Sequence, residues 1–315
     1  QLTGECVGDV AACSTAGAMN IRNGQWDAEL CEVAEIDMTI LPQLHNPQDC
    51  ISIVTESAAQ RAGFSAGTAV YAGIGDAGAT TLASGVSRPG QYNINIGTSG
   101  WIATVSPEPF TDKPGAANLA FGVEEGFVNA VPFLNAGDVH KWVTGVFADG
   151  DYAEAHRLIE TSEPGSKGVM CLPYLVGERF PVMNPNIRGA YVGLDPDTTK
   201  ADMMRAALEG VAFSIRQGME SFDAEPTEIS LIGGGARENA WCQILADVLE
   251  HPIEVFANAD ILPAVAMASL VFNAPDLLQS VCERTVYQPN PDTALTYADA
   301  YRRFLSLYPM LRTMD

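Results

Sequence analysis

A single carboxylate inside a glycine-rich segment is the first candidate for chemistry in this sequence. Asp76 lies in GIGDAG, residues 73–78, between an apolar run at residues 68–74 and a run of small residues. This order predicts a buried strand, a turn and the start of a helix. A carboxylate on such a turn can accept the proton of a substrate hydroxyl, as a base does in phosphoryl transfer. The alternative is that Asp76 only caps the helix.

The same segment fits the G-x-G-x-x-G pattern of dinucleotide-binding proteins, through Gly73, Gly75 and Gly78. That pattern needs an acidic residue about 20 positions later, where it binds a ribose hydroxyl. Residues 77–107 contain no Asp or Glu. A nicotinamide enzyme is therefore disfavoured, and the carboxylate of Asp76 is the more informative feature of the segment.

A second candidate is the turn GTSG at residues 97–100, which separates two strand patterns at residues 92–96 and 101–105. Small residues in a hairpin turn let backbone N–H groups approach an anion, and the two hydroxyls add donors. The turn is therefore a candidate phosphate contact. The alternative is an ordinary hairpin turn without a ligand.

A third candidate is GGGA at residues 233–236, between a predicted strand at residues 228–232 and a predicted helix at residues 239–249. Glycine lets the chain pass close to a ligand, and a helix N-terminus offers unpaired N–H groups and the positive end of its dipole. No G-K-[ST] follows, so the loop is not a Walker A motif. A tight connection without any phosphate contact is the alternative.

Strands that alternate with helices must position these three segments, and this alternation predicts an α/β fold. Thr199 and Asp202 resemble a capping box and precede the clearest helix, whose apolar residues recur at helical spacing as far as Met219. A further strand is predicted at residues 168–172. Residues 107–118 contain three prolines and are predicted to form a surface loop.

The charge of the chain limits its partners. The net charge of −22 arises from 17 Lys and Arg against 39 Asp and Glu. No basic face is available for nucleic acid, and anionic membranes are disfavoured for the same reason. No apolar run reaches the roughly 18 residues of a membrane span, and no signal peptide is visible. The start at Gln1, without an initiator Met, suggests a processed, trimmed or fragmentary chain.

The 7 cysteines and 4 histidines show no metal-binding pattern. The cysteine count is odd, and no C-x-x-C, H-x-x-H or H-E-x-x-H motif occurs. We therefore expect neither a disulfide framework nor a metal site built from protein side chains. Scattered thiols are typical of a reducing cytosol, so a cytoplasmic location is predicted.

Six sequence blocks, taken together and in order, resemble the FGGY family of carbohydrate kinases. They are AGIGDAG at residues 72–78, NIGTSG at 95–100, LPYLVGERFP at 172–181, NIRGAYVGL at 186–194, ALEGVAF at 207–213 and GGGARENAWCQILADVL at 233–249. The likeness runs through nearly the whole chain, including LTGE at residues 2–5 and the segment around Trp26. It is nearest to the xylulose kinase and gluconate kinase branches.

The resemblance implies two actin-like, ribonuclease-H-like α/β domains with ATP and a sugar in the cleft between them. It also implies phosphorylation, dependent on ATP and Mg²⁺, of a hydroxyl on a ketopentose such as xylulose or on a related sugar acid. Asp76 matches the family's catalytic base, and a homodimer is plausible for such kinases. The positions that match nucleotide contacts are Gly97, Thr98 and Ser99 near the phosphates, Gly234, Gly235 and Ala236 along the nucleotide, and Asn239 at the adenine.

Three departures from the family's pattern are expected to matter. Residues 1–72 look like a remnant of the N-terminal sugar-binding domain, without its Asp-x-Gly-Thr motif, and residues 73–315 look like the C-terminal nucleotide-binding domain. Ala77, at the substrate-binding position beside Asp76, replaces a Gln that usually contacts the sugar. Pro263 and its neighbours replace two glycines at a helix start, and their bulk is expected to crowd the nucleotide side.

These departures leave an alternative of a different class. The chain would then be a non-catalytic, actin-like nucleotide-binding or regulatory protein, or an inactive kinase fragment. The missing domain part and Ala77 favour this alternative. The intact blocks around Asp76 and at residues 233–236 favour the kinase, because a decayed site has no need of them.

Overall fold

The computed structural model of the chain describes residues 1–113, 115–281 and 283–312. Pro114, in the predicted surface loop, and Cys282, one of the 7 cysteines, lie outside the described residues. The first part of the fold consists of short strands and helices. They are β1 (Val7–Asp9), α1 (Val10–Cys13), β2 (Met19–Asn20), β3 (Gln25–Trp26), α2 (Ala28–Val33), β4 (Gln43–His45), β5 (Cys50–Ile53), α3 (Glu56–Ala62), β6 (Ala69–Tyr71) and α4 (Asp76–Ala83).

The rest of the fold builds a large sheet and the longer helices that cover it. Its strands are β7 (Gln91–Ile96), β8 (Gly100–Ser106), β9 (Ala117–Ala120), β10 (Phe127–Phe133), β11 (Met170–Leu172), β12 (Ala190–Val192), β13 (Glu228–Ile232), β14 (Ile253–Phe256) and β15 (Arg284–Tyr287). Its helices are α5 (Gly137–Phe147), α6 (Tyr152–Thr161), α7 (Lys200–Met219), α8 (Asn239–Leu249), α9 (Leu262–Val271), α10 (Pro275–Val281) and α11 (Ala294–Leu311). Of the helices in the described part of the chain, none combines the length and the apolar character needed to cross a membrane.

Seven strands form one mixed sheet in the order β15-β14-β13-β7-β8-β10-β9. β14, β13 and β7 run parallel, whereas the other neighbouring strands are antiparallel. In the central pair, Ile94 lies opposite Leu231 and Asn95 lies opposite Ile232. Because β7 and β13 end at the same edge of the sheet, the segments that follow them come together there.

Helices cover both faces of this sheet, which buries apolar side chains on each. On one face, Ile94 and Leu231 belong to the main core, which also contains residues of α5, α7, α8 and α11. On the other face, Val105 packs near α4 and Ile232 packs against α9. The sheet therefore separates α4 and α9 from α5 and α8.

Several elements predicted from local patterns are confirmed. The hairpin β7–β8, the strand β13 and the helix α8 occur where they were expected. The capping box of α7 is complete: the Asp202 N–H donates to the Thr199 hydroxyl at 3.3 Å, and the Thr199 N–H donates to the Asp202 carboxylate at 3.0 Å.

The predicted buried strand at residues 68–74 is wrong in length and in burial. β6 spans only Ala69–Tyr71, and its side chains are exposed or half-buried. It pairs with β5 in a separate two-stranded sheet, so it lacks the helix layers that bury the strands of the large sheet. The predicted loop at residues 107–118 is shorter than expected, because β9 begins at Ala117. The predicted strand at residues 168–172 begins only at Met170.

Candidate functional site

A cavity of about 700 Å³ opens at the sheet edge where β7 and β13 end. This volume is typical of small-molecule sites, which span roughly 300–1,000 Å³. The walls come from the β7–β8 turn, α5, α6, and the loop and helix that follow β13. Of the residues predicted to contact a nucleotide, the structure brings Gly97, Thr98, Gly234, Gly235 and Asn239 together around this cavity.

The β7–β8 turn is held in place by the start of α5. The N–H of Gly137 donates to the Gly97 carbonyl at 2.9 Å, and the N–H of Asp138 donates to the Thr98 carbonyl at 3.0 Å. A Cβ atom on Gly137 would overlap the Gly97 carbonyl oxygen, so only glycine allows this close approach. Thr98 and Ser99 remain exposed beyond these contacts, with Thr98 at the cavity wall.

The glycine loop after β13 packs directly on the end of β7. Gly233 has a φ of +91°, and a Cβ atom there would lie 2.5 Å from the Ile96 carbonyl oxygen. A Cβ atom on Gly235 would overlap the side chain of Ile96. A short 3-10 turn, Gly234–Arg237, then leads into α8, with Ala236 in the turn but outside the cavity lining. The loop therefore places exposed backbone at the cavity mouth.

Glu238 links this loop to α6. Its side chain accepts a hydrogen bond from the Ala240 N–H at 3.1 Å, which makes it the N-cap of α8. The same oxygen, Oε1, accepts from Nδ1 of His156 at 2.6 Å. This hydrogen bond to Glu238 raises the pKa of His156. The cavity wall therefore carries a hydrogen-bonded His156–Glu238 pair between two helices.

The helices α5 and α6 supply cavity residues that the sequence analysis did not identify. His140 is buried between Tyr152 and Trp241, with ring centroids 5.3 and 5.5 Å from its own. Burial lowers the pKa of His140, so its ring is neutral at pH 7, and its Nε2 has no partner among the described residues. Lys141 and His156 line the same cavity. No sequence motif marks these positions, because they reach the cavity only through tertiary packing.

Asp76 lies in the first turn of α4 and is exposed. Its Oδ1 accepts a hydrogen bond from the Ala77 N–H at 2.8 Å. The N-cap position belongs to Gly75, so Asp76 is not the capping residue that the alternative interpretation required. Neither Asp76 nor Ala77 lines the cavity, because α4 covers the opposite face of the sheet from α5 and α8.

The first part of the fold fixes the turn that carries Asp76. Asp9 caps α1 by accepting from the Ala12 N–H at 2.9 Å, and its Oδ1 also accepts from the Gly75 N–H at 3.3 Å. A Cβ atom on Gly75 would lie 3.0 Å from the Cβ atom of Ala12, which is tight. Asp9 and α1 therefore position the backbone directly before Asp76.

The helix α9, whose bulk was expected to crowd the nucleotide side, does not line this cavity. Pro263 lies in the first turn of α9, and the helix packs against α4. None of the α9 residues lines the cavity, because the sheet lies between them. Leu262 and Ala266 of this helix instead pack in the core with Ile232 and Phe256.

The cavity wall carries charged groups of both signs. Within residues 1–113, 115–281 and 283–312, no group of three or more His, Cys, Asp and Glu is arranged to hold a metal ion. Mg²⁺ commonly needs only one or two carboxylates, together with phosphate oxygens and water. Asp138 is an exposed carboxylate at the cavity, and Lys141 and Arg237 supply cations there.

Comparison with known proteins relates both parts of the chain to one family. Residues 92–269 match the FGGY family of carbohydrate kinases, C-terminal domain, and residues 1–83 match the N-terminal domain of that family. A gluconokinase of Bacillus subtilis is 31% identical over 270 residues, which are 81% of this chain and 53% of that protein. A xylulose kinase of Staphylococcus xylosus is 31% identical over 265 residues, or 80% of this chain and 53% of that protein.

Solved structures that resemble this chain are also sugar kinases. The crystal structure of xylulose kinase from Rhodospirillum rubrum superposes with a TM-score of 0.89 at 28% identity, covering 99% of this chain and 66% of that one. The predicted α/β fold, actin-like and ribonuclease-H-like, is confirmed by this likeness. The chain spans about half the length of the curated relatives it matches, with 53% of each of the first two covered.

Proposed function

Because the chain belongs to the FGGY family of carbohydrate kinases, we propose that it takes part in phosphoryl transfer from ATP to a sugar hydroxyl. The observation that carries this proposal is the cavity at the sheet edge. It brings the β7–β8 turn together with the glycine loop and Asn239, which lie far from that turn in the sequence. A sheet edge where parallel strands end is a common place for a nucleotide.

The cavity residues have distinct roles in this proposal. The turn of Gly97, Thr98 and Ser99 contacts the phosphates, with Lys141 and Arg237 as counter-charges. The turn from Gly234 to Ala236 contacts the rest of the nucleotide, and Asn239 contacts the base. Bound MgATP supplies the phosphoryl group, and Mg²⁺ is held chiefly by phosphate oxygens, with a carboxylate such as Asp138 as an additional ligand.

Asp76 is the proposed catalytic base. Its exposed carboxylate, on a turn fixed by Asp9 and α1, can accept the proton of the attacking sugar hydroxyl. Ala77 occupies the substrate-binding position next to it. Ala77 is half-buried and packs near Val105, and its methyl group offers the sugar no hydrogen bond.

The proposed substrate is a ketopentose such as xylulose, or a related sugar acid. Support comes from the relatives, which are named xylulose kinase and gluconokinase. We also propose the domain division at residues 72 and 73, with the sugar bound by the first part. A homodimer in the cytoplasm completes the proposal, in keeping with the free thiols at 6 described cysteines.

ADP release by this chain with MgATP tests the proposal. The acceptor panel contains pentuloses, hexuloses, aldonic acids and polyols, and each reaction is compared with one that lacks the acceptor. We expect release that depends on a ketopentose or an aldonic acid. Tight ADP binding together with no acceptor-dependent production of ADP from MgATP would instead support the non-catalytic nucleotide-binding protein. It would contradict kinase activity for this chain.

A further inference from the structure

The base-facing residue of the cavity is held by a tyrosine from the far edge of the sheet. The hydroxyl of Tyr287, at the end of β15, donates a hydrogen bond to Oδ1 of Asn239 at 2.8 Å. Asn239 is the first residue of α8, is exposed and lines the cavity. Tyr287 is half-buried and does not line the cavity. It therefore acts on a ligand only through Asn239.

A second side chain lies beside the Tyr287 hydroxyl. It is Cys242, one turn along α8 from Asn239, which interacts with the hydroxyl electrostatically. The Cys242 thiol in turn donates to the Ala236 carbonyl in the glycine loop at 3.5 Å. Burial raises the pKa of Tyr287, so the hydroxyl keeps its proton at neutral pH and remains a donor. The chain of contacts joins β15, α8 and the glycine loop.

This arrangement gives the Asn239 carboxamide one preferred orientation. A carboxamide has an acceptor on one side and two donors on the other, and a free one can present either side to a ligand. After a turn of the Asn239 amide by about 180°, the Tyr287 hydroxyl would accept from Nδ2 and lose the amide oxygen that accepts its own proton. The observed orientation keeps the stronger O–H···O bond and leaves the Nδ2 donor for a ligand.

We propose that Tyr287 is a positioning residue that orients the Asn239 carboxamide so that the cavity selects adenine over a 6-oxopurine. The Nδ2 amide then donates to N1 of adenine, and the second lone pair of Oδ1 accepts from the exocyclic N6 amine. Hypoxanthine reverses this edge, because its N1 is a donor and its 6-oxygen is an acceptor. This inference rests on the proposed function, since it presumes a nucleotide in the cavity.

Calorimetric binding of ADP and IDP to the chain tests the inference without any turnover. The wild type should bind ADP more tightly than IDP. Tyr287→Phe should weaken ADP binding by about 3- to 10-fold, the range for one lost hydrogen bond, with little effect on IDP. The control is Tyr191→Phe, which removes a hydroxyl that donates to the Met203 carbonyl at 3.0 Å, outside the cavity lining. It should leave the ADP-to-IDP preference unchanged.

A double-mutant cycle shows whether Tyr287 acts through Asn239. In an Asn239→Ala background, Tyr287→Phe should have no further effect on ADP affinity. Asn239→Asp keeps an oxygen for Tyr287 but removes the donor that faces the base, so it should lower or reverse the ADP preference. This variant keeps the test decisive even if the Tyr287 variant folds poorly, which thermal melting would reveal.

The outcomes separate this inference from the proposed function. An unchanged ADP-to-IDP preference in Tyr287→Phe, or additive effects in the cycle, would overturn the positioning role while nucleotide binding stands. An Asn239→Asp variant that prefers ADP as strongly as the wild type would show that the amide has the opposite orientation. Failure of the wild type to bind either nucleotide would overturn the proposed function itself, and the inference with it.

Discussion

Glu238 and His156 join the start of α8 to α6 across the cavity wall, with 2.6 Å between Oε1 of Glu238 and Nδ1 of His156. The same carboxylate caps α8 through the Ala240 N–H. Nε2 of His156 lies 3.4 Å from Glu160, a weaker and more exposed partner. One ion pair therefore ties the glycine loop and the helix after it to a helix that is distant in sequence.

The first prediction concerns the pH dependence of this tie. The hydrogen bond to Glu238 raises the pKa of His156 in the folded state above its unfolded value of about 6.5. The stabilisation is therefore fully present below about pH 6 and is lost as the pH rises through the folded-state pKa. The His156 side chain is 38% exposed, so solvent screening keeps the effect within about 1 kcal/mol.

Thermal unfolding of the wild type and His156→Gln across this pH range measures the effect. The melting-temperature difference between them should be largest at acidic pH and shrink as the pH rises. Glu160→Gln is the matched control, because it removes the weaker partner and leaves the 2.6 Å contact in place. A difference that grows toward alkaline pH would contradict the assignment.

The second prediction concerns Asp76 as the base. Asp76→Asn should lower sugar-dependent ADP release by at least about 100-fold, because it removes proton acceptance and changes little else. ADP affinity should be retained, since Asp76 does not line the nucleotide cavity. Asp197→Asn, at an exposed loop position outside the cavity lining, controls for the loss of one charge. An unchanged rate in Asp76→Asn would remove it from the mechanism.

Local sequence patterns predicted the helices and strands whose ends are fixed by neighbouring residues in the sequence. The capping box of Thr199 and Asp202 marks the start of α7, and the glycine loop marks the start of α8. The hairpin β7–β8 follows from its turn residues and alternation. The prediction of a buried strand at residues 68–74 was wrong because an apolar run does not show which sheet the strand joins. β6 joins a small two-stranded sheet instead of the large one.

The cavity was only half predictable for a similar reason. Thr98 and Asn239 belong to recognisable sequence motifs, so the sequence predicted that they would line a ligand site. His140 and Tyr152 stand in ordinary amphipathic helices, and only the packing of α5 and α6 brings them to the cavity. The hydrogen bond between Tyr287 and Asn239 joins residues 48 positions apart, and no sequence motif predicts it.

The third prediction compares two glycines of the same helix. Gly137→Ala places a methyl group against the Gly97 carbonyl, where backbone has to move, so it should cost about 1–3 kcal/mol of stability. Displacement of the β7–β8 turn should also weaken ADP binding by up to about tenfold. Gly145→Ala is the control, because Gly145 is exposed and has nothing within 4 Å of its Cβ position.

The two variants should move stability in opposite directions. Gly145→Ala should raise the free energy of unfolding by up to about 1 kcal/mol through helix propensity, with ADP affinity unchanged. Chemical denaturation and calorimetry measure the two quantities separately. Equal ADP affinity in both variants would mean that the Gly97–Gly137 contact does not shape the phosphate turn.

The last prediction concerns a buried ion pair that holds the main core together. Arg205 and Glu209, on α7, are 8% and 2% exposed, and Nε of Arg205 donates to Oε1 of Glu209 at 2.8 Å. The Tyr297 hydroxyl, from α11, donates to the same oxygen at 2.9 Å. The Gly165 N–H and the Ser166 hydroxyl also donate to this carboxylate, at 2.9 and 2.8 Å. The Arg205 guanidinium donates further to the Ile159 and Ser162 carbonyls and to the Tyr297 hydroxyl.

Glu209→Ala should therefore cost about 3–5 kcal/mol of stability, because it leaves the Arg205 guanidinium buried without its counter-charge. Tyr297→Phe leaves the ion pair in place but removes the hydroxyl that accepts from Nη2 of Arg205 at 2.8 Å, so it should cost about 1–3 kcal/mol. Urea denaturation of the two variants measures the difference. A smaller loss for Glu209→Ala than for Tyr297→Phe would show that water enters and solvates Arg205, because only solvation could replace the missing carboxylate.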